Sequence, residues 1–182
     1  HLWDRKRHFP QVEFEGNIVQ IDINNRRGTV LNNSRPLSNL KNVELCEEAW
    51  RIWINDSFWL NPVSKVFDAG VLRKIVKIEG ARQALLVTYE SGGITPGDSY
   101  LWILDNNFRP QSWKLWVSIV PIGGLEFSWD KWQKLETGVF ISTFHEGVID
   151  ISIDKVIGKS TLLQLTGGKD VFAPLQSNTV PF

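Results

Sequence analysis

The sequence predicts an α+β protein that is mainly β, with a strongly curved antiparallel sheet that wraps around a covering helix. One stretch, near residues 42–54, carries apolar side chains at the three-to-four spacing of a helix. From residue 71 onward the apolar pattern has period two or is continuous, which is typical of strands. The connectors are too short for parallel crossovers, which need a dozen or more residues.

Two short strands are expected near the start of the chain. Residues 12–14 and 19–23 both alternate between apolar and polar side chains. Gly16 lies between them and permits the positive φ that a tight turn requires, so the two runs predict a hairpin. A further short strand is expected at residues 29–31.

The helix is predicted to follow this hairpin region. Asn42 is the expected N-cap, and Glu44 and Glu47 favour the positive end of the helix dipole. Pro62 disfavours helix in the residue before it and is expected to end the helix. The apolar stripe contains Val43, Cys46, Ala49, Trp50, Trp53 and Ile54.

Seven further strands are expected after the helix. They are residues 71–78, 84–90, 99–105, 112–120, 138–145, 148–156 and 161–165. Segments 99–105 and 112–120 are apolar on both faces, which indicates that both faces are shielded from water. A sheet curved around a helix would shield both, and its concave side is a natural place for a cavity.

Length and composition fit a single domain over residues 1–182. A chain of this length can bury a substantial core, and no internal repeat or linker divides it. Residues 167–182 are rich in Gly, Pro, Asn and Ser and predict a lightly structured tail. Because the chain opens at His1 in a strand-like pattern and contains no methionine, we expect a trimmed N-terminus.

Charge and cysteine content exclude several classes of function. The chain has 20 basic and 20 acidic side chains, so it lacks the net positive charge that nucleic-acid binding requires. The uncharged apolar run at residues 115–125 is far shorter than the roughly 20 apolar residues that span a bilayer, so no transmembrane segment is expected. Cys46 is the only cysteine, which rules out an intramolecular disulfide.

The nine tryptophans are the most informative residues of the chain. Residues three apart on a strand point to opposite faces, so Trp113 and Trp116 should lie on opposite sides of the sheet. We expect Trp116 to point outward, and Trp113, Leu115, Val117 and Ile119 to point inward.

A set of these side chains is expected to line a cavity between the helix and the concave sheet. The predicted ligand-binding residues are Trp50, Trp53, Tyr89, Trp102, Trp113, Val117 and Ile119. The alternative is that all of these aromatic rings serve only to pack the core, as most buried tryptophans do.

Catalytic and metal-binding signatures are weak. Residues 158–160 read GKS, but a phosphate-binding loop would need glycine where Ile153 stands. His145 has no nucleophile nearby in sequence and is expected to be structural. The histidines and Cys46 are too far apart in sequence for a local metal motif, so neither a metal nor another cofactor is expected.

One enzymatic alternative stays open. Asp98 and Asp105 bracket a predicted strand, and Glu13 and Glu15 share a face of another, so either pair could contribute to a glycosidase-like pair of carboxylates. The loop SGGITPGD, residues 91–98, has the glycines and proline of many functional loops. A hydrolase would use carboxylates near this loop.

Four stretches of this chain resemble sequences of one protein family. They are WINDSFWLNP, LLVTYESGGITPGDSYLWILD, SWKLWVSIVPIGGLEFSWDKW and LETGVFISTFHEG. In this order, over about residues 1–156, the chain resembles uncharacterised bacterial envelope proteins related to the lipoprotein-sorting LolA and LolB half-barrels. The resemblance implies roughly eleven antiparallel strands curved into an unclosed half-barrel, helices over an apolar cavity, and a periplasmic or outer-membrane location. No functional residue of LolA or LolB can be transferred to a definite position.

These observations predict a non-enzymatic envelope protein. It would bind a lipid, a lipoprotein acyl chain or another apolar molecule between helix and sheet, without a cofactor. The expected partners are that apolar molecule and other envelope proteins, and not nucleic acid. The alternatives are a hydrolase acting on an envelope polysaccharide and a structural or partner-binding module with no small ligand.

Overall fold

The structure is a computed structural model, which describes residues 1–31, 38–81, 83–91 and 93–182. As predicted, the chain is mainly β, and its antiparallel sheets curve without closing into a barrel. The described residues include one main helix. Two compact units are present: unit 1 consists of His1–Ser57 and Gly158–Phe182, and unit 2 consists of Phe58–Ile157. The single domain over residues 1–182 stays a prediction.

Thirteen strands form the sheets of the described residues. In chain order they are β1 (Leu2–Asp4), β2 (Phe9–Phe14), β3 (Asn17–Asp22), β4 (Arg27–Val30), β5 (Val71–Lys77), β6 (Gln83–Tyr89), β7 (Ser99–Leu104), β8 (Pro110–Trp116), β9 (Leu125–Ser128), β10 (Asp130–Lys134), β11 (Phe140–His145), β12 (Ile151–Ser152) and β13 (Val180–Pro181).

Helices and 3-10 turns complete the secondary structure. The α-helices are α1 (Asn39–Leu60) and α2 (Leu162–Leu165), and the 3-10 turns are Pro62–Lys65, Glu79–Ala81 and Ala173–Gln176. No helix in the described ranges combines the length and apolar character needed to cross a bilayer.

Unit 1 contains one antiparallel sheet in the order β1-β2-β3-β4-β13. The predicted hairpin is confirmed, since β2 pairs with β3 and Phe14 lies opposite Asn17. Glu15 and Gly16 form its turn with positive φ angles of 47° and 75°. In the predicted tail, β13 pairs with β4, and Phe172 is fully buried.

Helix α1 begins earlier than the sequence indicated. The Ser38 hydroxyl accepts a hydrogen bond from the Lys41 N–H at 3.2 Å and is the N-cap, so the prediction of Asn42 is wrong. Asn42 instead lies in the first turn, where its N–H bonds to the Ser38 carbonyl. The apolar pattern did not predict the first turn, because its apolar residue, Leu40, is 71% exposed and lies outside the buried stripe. The helix ends before Pro62, as predicted.

The core of unit 1 lies between α1 and its sheet. The buried apolar side chains are Val12, Val19, Ile21, Leu45, Cys46, Ala49 and Trp53. Gly28 of β4 lies so close to Cys46 that a β-carbon there would be 2.6 Å from the thiol sulfur. Burial raises the pKa of the Cys46 thiol to about 11, which matches the predicted role as a small buried hydrophobe.

Unit 2 contains two antiparallel sheets, in the orders β5-β6-β7-β8-β9 and β10-β11-β12. The strands predicted at residues 71–78, 84–90 and 99–105 are confirmed within one residue at each end. The strand predicted at 138–145 is also present, as β11, and begins at Phe140.

Three other strand predictions fail in part or completely. The strand predicted at 112–120 ends at Trp116, and of residues 148–156 only Ile151–Ser152 pair. Residues 161–165 are helical instead. Thr161 caps α2 by accepting a hydrogen bond from the Gln164 N–H, and the Gln164 side chain accepts from the Thr161 N–H. This reciprocal capping favours a helical turn over an apolar run of only a few residues.

Strands β9 and β10 were not predicted. Charged and polar residues interrupt the apolar pattern of residues 125–134, so neither strand shows a long alternation. Lys131 adopts a positive φ of 50° within β10, which marks an irregular strand. Pairing with β8 and β11 therefore defines these strands, and this tertiary pairing overrides the weak local pattern.

Candidate functional site

The predicted ligand-binding residues fall into both units. Trp50 and Trp53 belong to unit 1, where they make packing contacts. Trp53 is buried and meets Trp3 edge to face, with ring centroids 5.3 Å apart. The guanidinium of Arg26 lies 4.0 Å from the Trp50 ring centroid in a cation–π contact.

Tyr89, Trp102 and Trp113 lie together in unit 2, within a group of rings that we call the aromatic cluster. Its members are Phe58, Trp59, Tyr89, Tyr100, Trp102, Trp113, Phe127, Trp129, Trp132 and His145. Trp113 is fully buried and central. Its ring lies 5.0–6.3 Å from those of Phe58, Trp59, Tyr100, Trp102, Trp129 and His145.

Strand register explains how the sequence builds this cluster. Trp113 lies directly opposite Trp102 on β7 and opposite Phe127 on β9, so three large rings share one face of three neighbouring strands. Phe58 and Trp59 extend the cluster from the last turn of α1. Phe58 stacks on Trp113 at 5.4 Å with an interplanar angle of 13°.

Five buried polar atoms of the cluster make no hydrogen bond with any described residue. They are the Tyr89 hydroxyl oxygen, the indole Nε1 atoms of Trp102, Trp113 and Trp129, and His145 Nε2. Buried polar groups of folded proteins are almost always hydrogen-bonded, so five exceptions in one cluster call for a physical explanation.

His145 is completely buried in this cluster, as expected of a structural histidine. Its Nδ1–H donates a hydrogen bond to the Ser128 carbonyl at 2.7 Å, which leaves Nε2 as an acceptor. Burial lowers the pKa of the imidazole, and the carbonyls of Ser128 and Trp59 and the charge of Asp130 only partly oppose this effect. The ring is therefore neutral at pH 7.

Both tyrosines of the cluster are also neutral at pH 7. Burial raises the pKa of Tyr89, and the negative charge of Asp68 raises it further. Burial likewise raises the pKa of Tyr100, with a further contribution from Asp98. The Tyr89 hydroxyl is thus a stable hydrogen-bond donor.

A cleft beside the cluster lies between the β6–β7 and β8–β9 connections, and we call it the loop cleft. It has a volume of about 380 Å³, and its walls are formed by Pro96, Gly97, Asp98, Trp116, Val117, Ser118, Val120 and Gly123. The buried carboxylate of Asp98 joins the two connections, because it accepts hydrogen bonds from the Thr95 hydroxyl and, at 2.9 Å, from the Ser118 N–H.

The rim of the loop cleft is apolar and exposed. Trp116 points outward as predicted and is 44% exposed, whereas Trp113 and Leu115 point inward as predicted and are buried. Ile119 was expected to point inward, but it is 76% exposed because β8 ends at Trp116. Ile122 is 66% exposed on the same connection. Val117 is half-buried and packs against the aromatic cluster.

The chemistry available at the loop cleft is limited. Asp98 is the only carboxylate among the lining residues, and its oxygens are engaged in joining the two connections. Asp105 is occupied at another turn, where it accepts the N–H groups of Asn107 and Arg109. The described residues contain no group of His, Cys, Asp and Glu side chains that could hold a metal ion.

Some members of the site were not predicted from the sequence. Phe58 and Trp59 were assigned to the end of the helix without a binding role, and Phe127 and Trp129 lie in and beside an unpredicted strand. The close spacing of Trp113, Trp116, Trp129 and Trp132 was the sequence feature that could have indicated these members of the site. Gly92 of the SGGITPGD loop lies outside the described residues.

Comparisons with known proteins identify no relative of this chain: no family model, no curated protein and no solved structure matches it.

Proposed function

We propose that this chain is a non-enzymatic protein that binds a lipid, a lipoprotein acyl chain or another apolar molecule. The observation that carries the proposal is the position of Val117. This side chain lines the loop cleft and also packs against the aromatic cluster. One apolar side chain thus lies between a cleft at the protein surface and a group of buried rings.

The loop cleft is an open depression of the surface, and its lining suits such a ligand. Sites for small molecules have mainly apolar walls. Here the indole of Trp116 and the side chains of Val117 and Val120 supply apolar surface. Each methylene group of an acyl chain that leaves water would contribute about 0.8 kcal/mol, so several methylenes would give useful affinity without a charged anchor.

Within this proposal, the ligand is bound by residues of unit 2. Tyr89, Trp102, Trp113 and Val117 are the predicted ligand-binding residues that belong to, or pack against, the aromatic cluster. Ile119 would contact the ligand from the exposed rim. Trp50 and Trp53 have packing partners within unit 1 and are not required.

The cellular setting is part of the proposal and depends on the sequence resemblance. Curved antiparallel sheets that stay open are compatible with a LolA-like half-barrel. We therefore propose a location in the bacterial envelope, either in the periplasm or at the outer membrane. Binding of acyl chains would fit the lipid-rich surroundings of such a protein.

A quenching experiment tests the binding proposal. Delipidated protein would be titrated with the methyl ester of a stearic acid that carries a nitroxide at its chain end. We expect saturable quenching of tryptophan fluorescence, because the chain would enter beside Trp116 and approach the rings of the aromatic cluster. Unlabelled methyl stearate should reverse the quenching by competition.

Two matched variants localise the binding. Ser118→Phe would fill the loop cleft at an exposed lining residue without adding an indole, and should weaken binding at least tenfold. Ser177→Phe makes the same change at an exposed position of unit 1 and should bind like the unmodified protein. Absence of saturable quenching, or equal binding by both variants, would refute a lipid site at the loop cleft.

The exposed rim favours a second candidate function, which is binding of a partner protein. Ile119 and Ile122 present apolar side chains on a connection without charged residues. Exposed apolar surface of this kind is also typical of protein interfaces. Ile119→Asp would then abolish partner binding, whereas loss of acyl-chain binding by this variant would favour the first function.

A further inference from the structure

Strand β5 differs from the other strands that lie at the edges of sheets. The described edge strands are β1, β5, β9, β10, β12 and β13. β5 (Val71–Lys77) is the longest of them, with seven residues. β13 contains Pro181, β10 contains Lys131 at a positive φ, and the Ser128 N–H of β9 bonds to the Glu146 carbonyl. β5 has neither a proline nor a positive φ, so no device of this kind interrupts its edge.

The strand register shows which backbone groups of β5 face away from the sheet. The N–H and the carbonyl of Tyr89 on β6 bond to Asp98 and Gly97, on the side of β7. Val71 lies opposite Tyr89, so its own N–H and carbonyl face away from β6. Every second residue of β5 repeats this orientation. Among the described residues, none makes a backbone hydrogen bond with these outward groups. We call them the open edge, and they belong to Val71, Arg73, Ile75 and Lys77.

Apolar side chains are exposed on both faces of the sheet at the open edge. Leu72 is 54% exposed on one face, and Ile75 is 57% exposed on the other. Phe67 is 84% exposed and lies on the side of Ile75, since the Arg73 guanidinium is 5.0 Å from its ring centroid. A strand added beside β5 would therefore find free backbone partners with apolar surface on each face.

The charges of β5 are all positive. Its cations are Arg73, Lys74 and Lys77, and they take part in none of the ion pairs of the described residues. The neighbouring strand β6 carries no charged residue. The nearest acidic residues along the chain, Asp68 and Glu79, lie beyond the two ends of β5. An incoming strand would therefore meet an edge of positive charge.

This charge determines which kind of strand fits. A second copy of β5 in antiparallel pairing would bring three cations against three, with Lys74 opposite Lys74 in the central register. Like charges directly opposite each other destabilise a strand pair, whereas opposite charges stabilise it. The cations thus disfavour self-association of the edge and favour a strand that has carboxylates at the facing positions.

From these observations we propose that the open edge of β5 binds an extended acidic segment of another protein, which joins the sheet as an antiparallel strand. Carboxylates of the segment would lie opposite Arg73, Lys74 and Lys77, and its apolar side chains would lie beside Leu72 and Ile75. Main-chain hydrogen bonds would provide affinity, and side chains on both faces would provide specificity. This surface shares no residue with the loop cleft and does not depend on the proposed function.

A synthetic peptide tests strand addition without changing the protein. The peptide EVVEEIV, acetylated and amidated at its ends, places a glutamate opposite each cation of β5 in antiparallel register. Isothermal titration calorimetry with the full chain measures its binding. N-methylation of its third and fifth residues removes the N–H groups that would bond to Ile75 and Arg73, and should weaken binding about tenfold or more. N-methylation of its second and fourth residues removes N–H groups that would face away from β5, and should leave binding unchanged.

Charge exchange tests the preference for an acidic segment. Lys74→Glu should weaken binding of EVVEEIV roughly tenfold, because it replaces an attraction by a repulsion. The peptide EVVKEIV, which has lysine at the fourth position, should bind this variant as well as EVVEEIV binds the original. Lys169→Glu makes the same change of charge at an exposed position of unit 1 and should bind EVVEEIV like the original.

A proline tests the backbone of the open edge directly. The Ile75 N–H faces away from β6, so Ile75→Pro keeps the sheet hydrogen bonds and removes one outward donor. This variant should bind EVVEEIV about tenfold more weakly or worse, whereas Ile75→Val keeps the N–H and should bind like the original. Circular dichroism verifies that both variants fold. If Ile75→Pro does not fold, the N-methylated peptides still decide the question.

The results that would overturn the proposal are specific. If EVVEEIV does not bind, or if both N-methylated forms bind equally, no strand is added at β5. If Lys74→Glu binds EVVEEIV as tightly as the original does, the preference for an acidic segment is wrong. A dimer of the protein alone that Ile75→Pro dissociates, measured by sedimentation velocity, would show that the edge pairs with a second copy instead. Acyl-chain binding is measured separately by the nitroxide titration, so the proposed function stands or fails independently of these results.

Discussion

Trp113 and Trp129 meet edge to face, with ring centroids 5.0 Å apart and an interplanar angle of 85°. This contact lies at the centre of the aromatic cluster and joins β8 to the segment between β9 and β10. Edge-to-face pairs add about 0.5–1.5 kcal/mol beyond the burial of their surfaces. The pair therefore bears both on the stability of unit 2 and on the proposed ligand site.

Truncation of Trp113 should strongly destabilise unit 2. Trp113→Ala removes a fully buried ring that contacts six others, and should lower the free energy of unfolding by about 3–5 kcal/mol. Trp116→Ala is the matched control on the same strand, because Trp116 is 44% exposed and should cost much less. Urea unfolding followed by circular dichroism measures both. Equal losses would contradict the assignment of Trp113 to the centre of the core.

A methyl group added at Gly28 should destabilise unit 1. A β-carbon there would lie 2.6 Å from the Cys46 sulfur and 3.0 Å from the Gln20 carbonyl oxygen, so Gly28→Ala should cost about 1–3 kcal/mol by overpacking. Adding Cys46→Ala should recover part of this loss, since it removes the closest atom. A double-mutant cycle of unfolding free energies measures the coupling, and strict additivity would show that the two sites do not touch.

The contacts of Arg7 predict a stability change in acid. The Arg7 guanidinium makes two hydrogen bonds of 2.8 Å to Asp170 and one of 2.7 Å to Asp4. The Arg7 hydrogen bonds and charge lower the pKa of Asp170, and for Asp4 they outweigh burial, which alone would raise that pKa. Both carboxyl pKa values therefore lie below 3.8 in the folded state.

This stabilising contribution should be complete above about pH 4 and should be lost as the pH falls through the lowered pKa values, because the unfolded chain binds protons more readily. Asp170→Asn should reduce stability at pH 7, and this reduction should shrink as the pH falls below 3.8. Urea midpoints of both proteins at pH 7, 4, 3 and 2 provide the measurement. A difference that does not depend on pH would contradict an ionic role for Asp170.

The burial of His145 as a neutral imidazole predicts a second loss of stability, at a less acidic pH than that of the two carboxyl groups. Because the folded pKa is lowered below its ordinary 6.5, protons bind preferentially to the unfolded chain. Stability should hold above about pH 6.5 and fall as the pH drops from there through the folded pKa. Asp130 is the charged group that acts on the ring and partly opposes this effect.

The His145→Asn variant separates this titration from packing. Its amide can still donate to the Ser128 carbonyl, but it does not titrate, so the slope of unfolding free energy between pH 6.5 and 5 should be flatter than in the original. Loss of the ring will also change the absolute stability, so the slope is the quantity to compare. An unchanged slope would show that His145 is not the group responsible.

The fold class could be predicted because several segments of the sequence carry a long and regular apolar pattern. The three-to-four spacing of α1 and the period-two or continuous apolar patterns of β5, β6 and β7 indicate their elements independently of neighbours. Short elements were harder to predict. The capping pair Thr161 and Gln164 determines that residues 162–165 are helical, and β9 becomes a strand by pairing with β8.

The candidate site could be predicted only in part. Alternation along β8 correctly separated inward Trp113 from outward Trp116. It gave the wrong direction for Ile119, because alternation has no meaning beyond the end of the strand. The loop cleft could not be predicted from the sequence, because it depends on the hydrogen bond between Asp98 and Ser118, which are 20 residues apart.

The decisive measurement is native mass spectrometry of gently purified protein, compared with Ser118→Phe protein prepared in the same way. We expect an adduct in the mass range of an acyl lipid on the original protein, released by organic extraction, and less of this adduct on the Ser118→Phe variant. Adduct-free spectra at every purification condition, together with no saturable binding of the nitroxide-labelled ester, would contradict the proposal that this chain binds acyl chains.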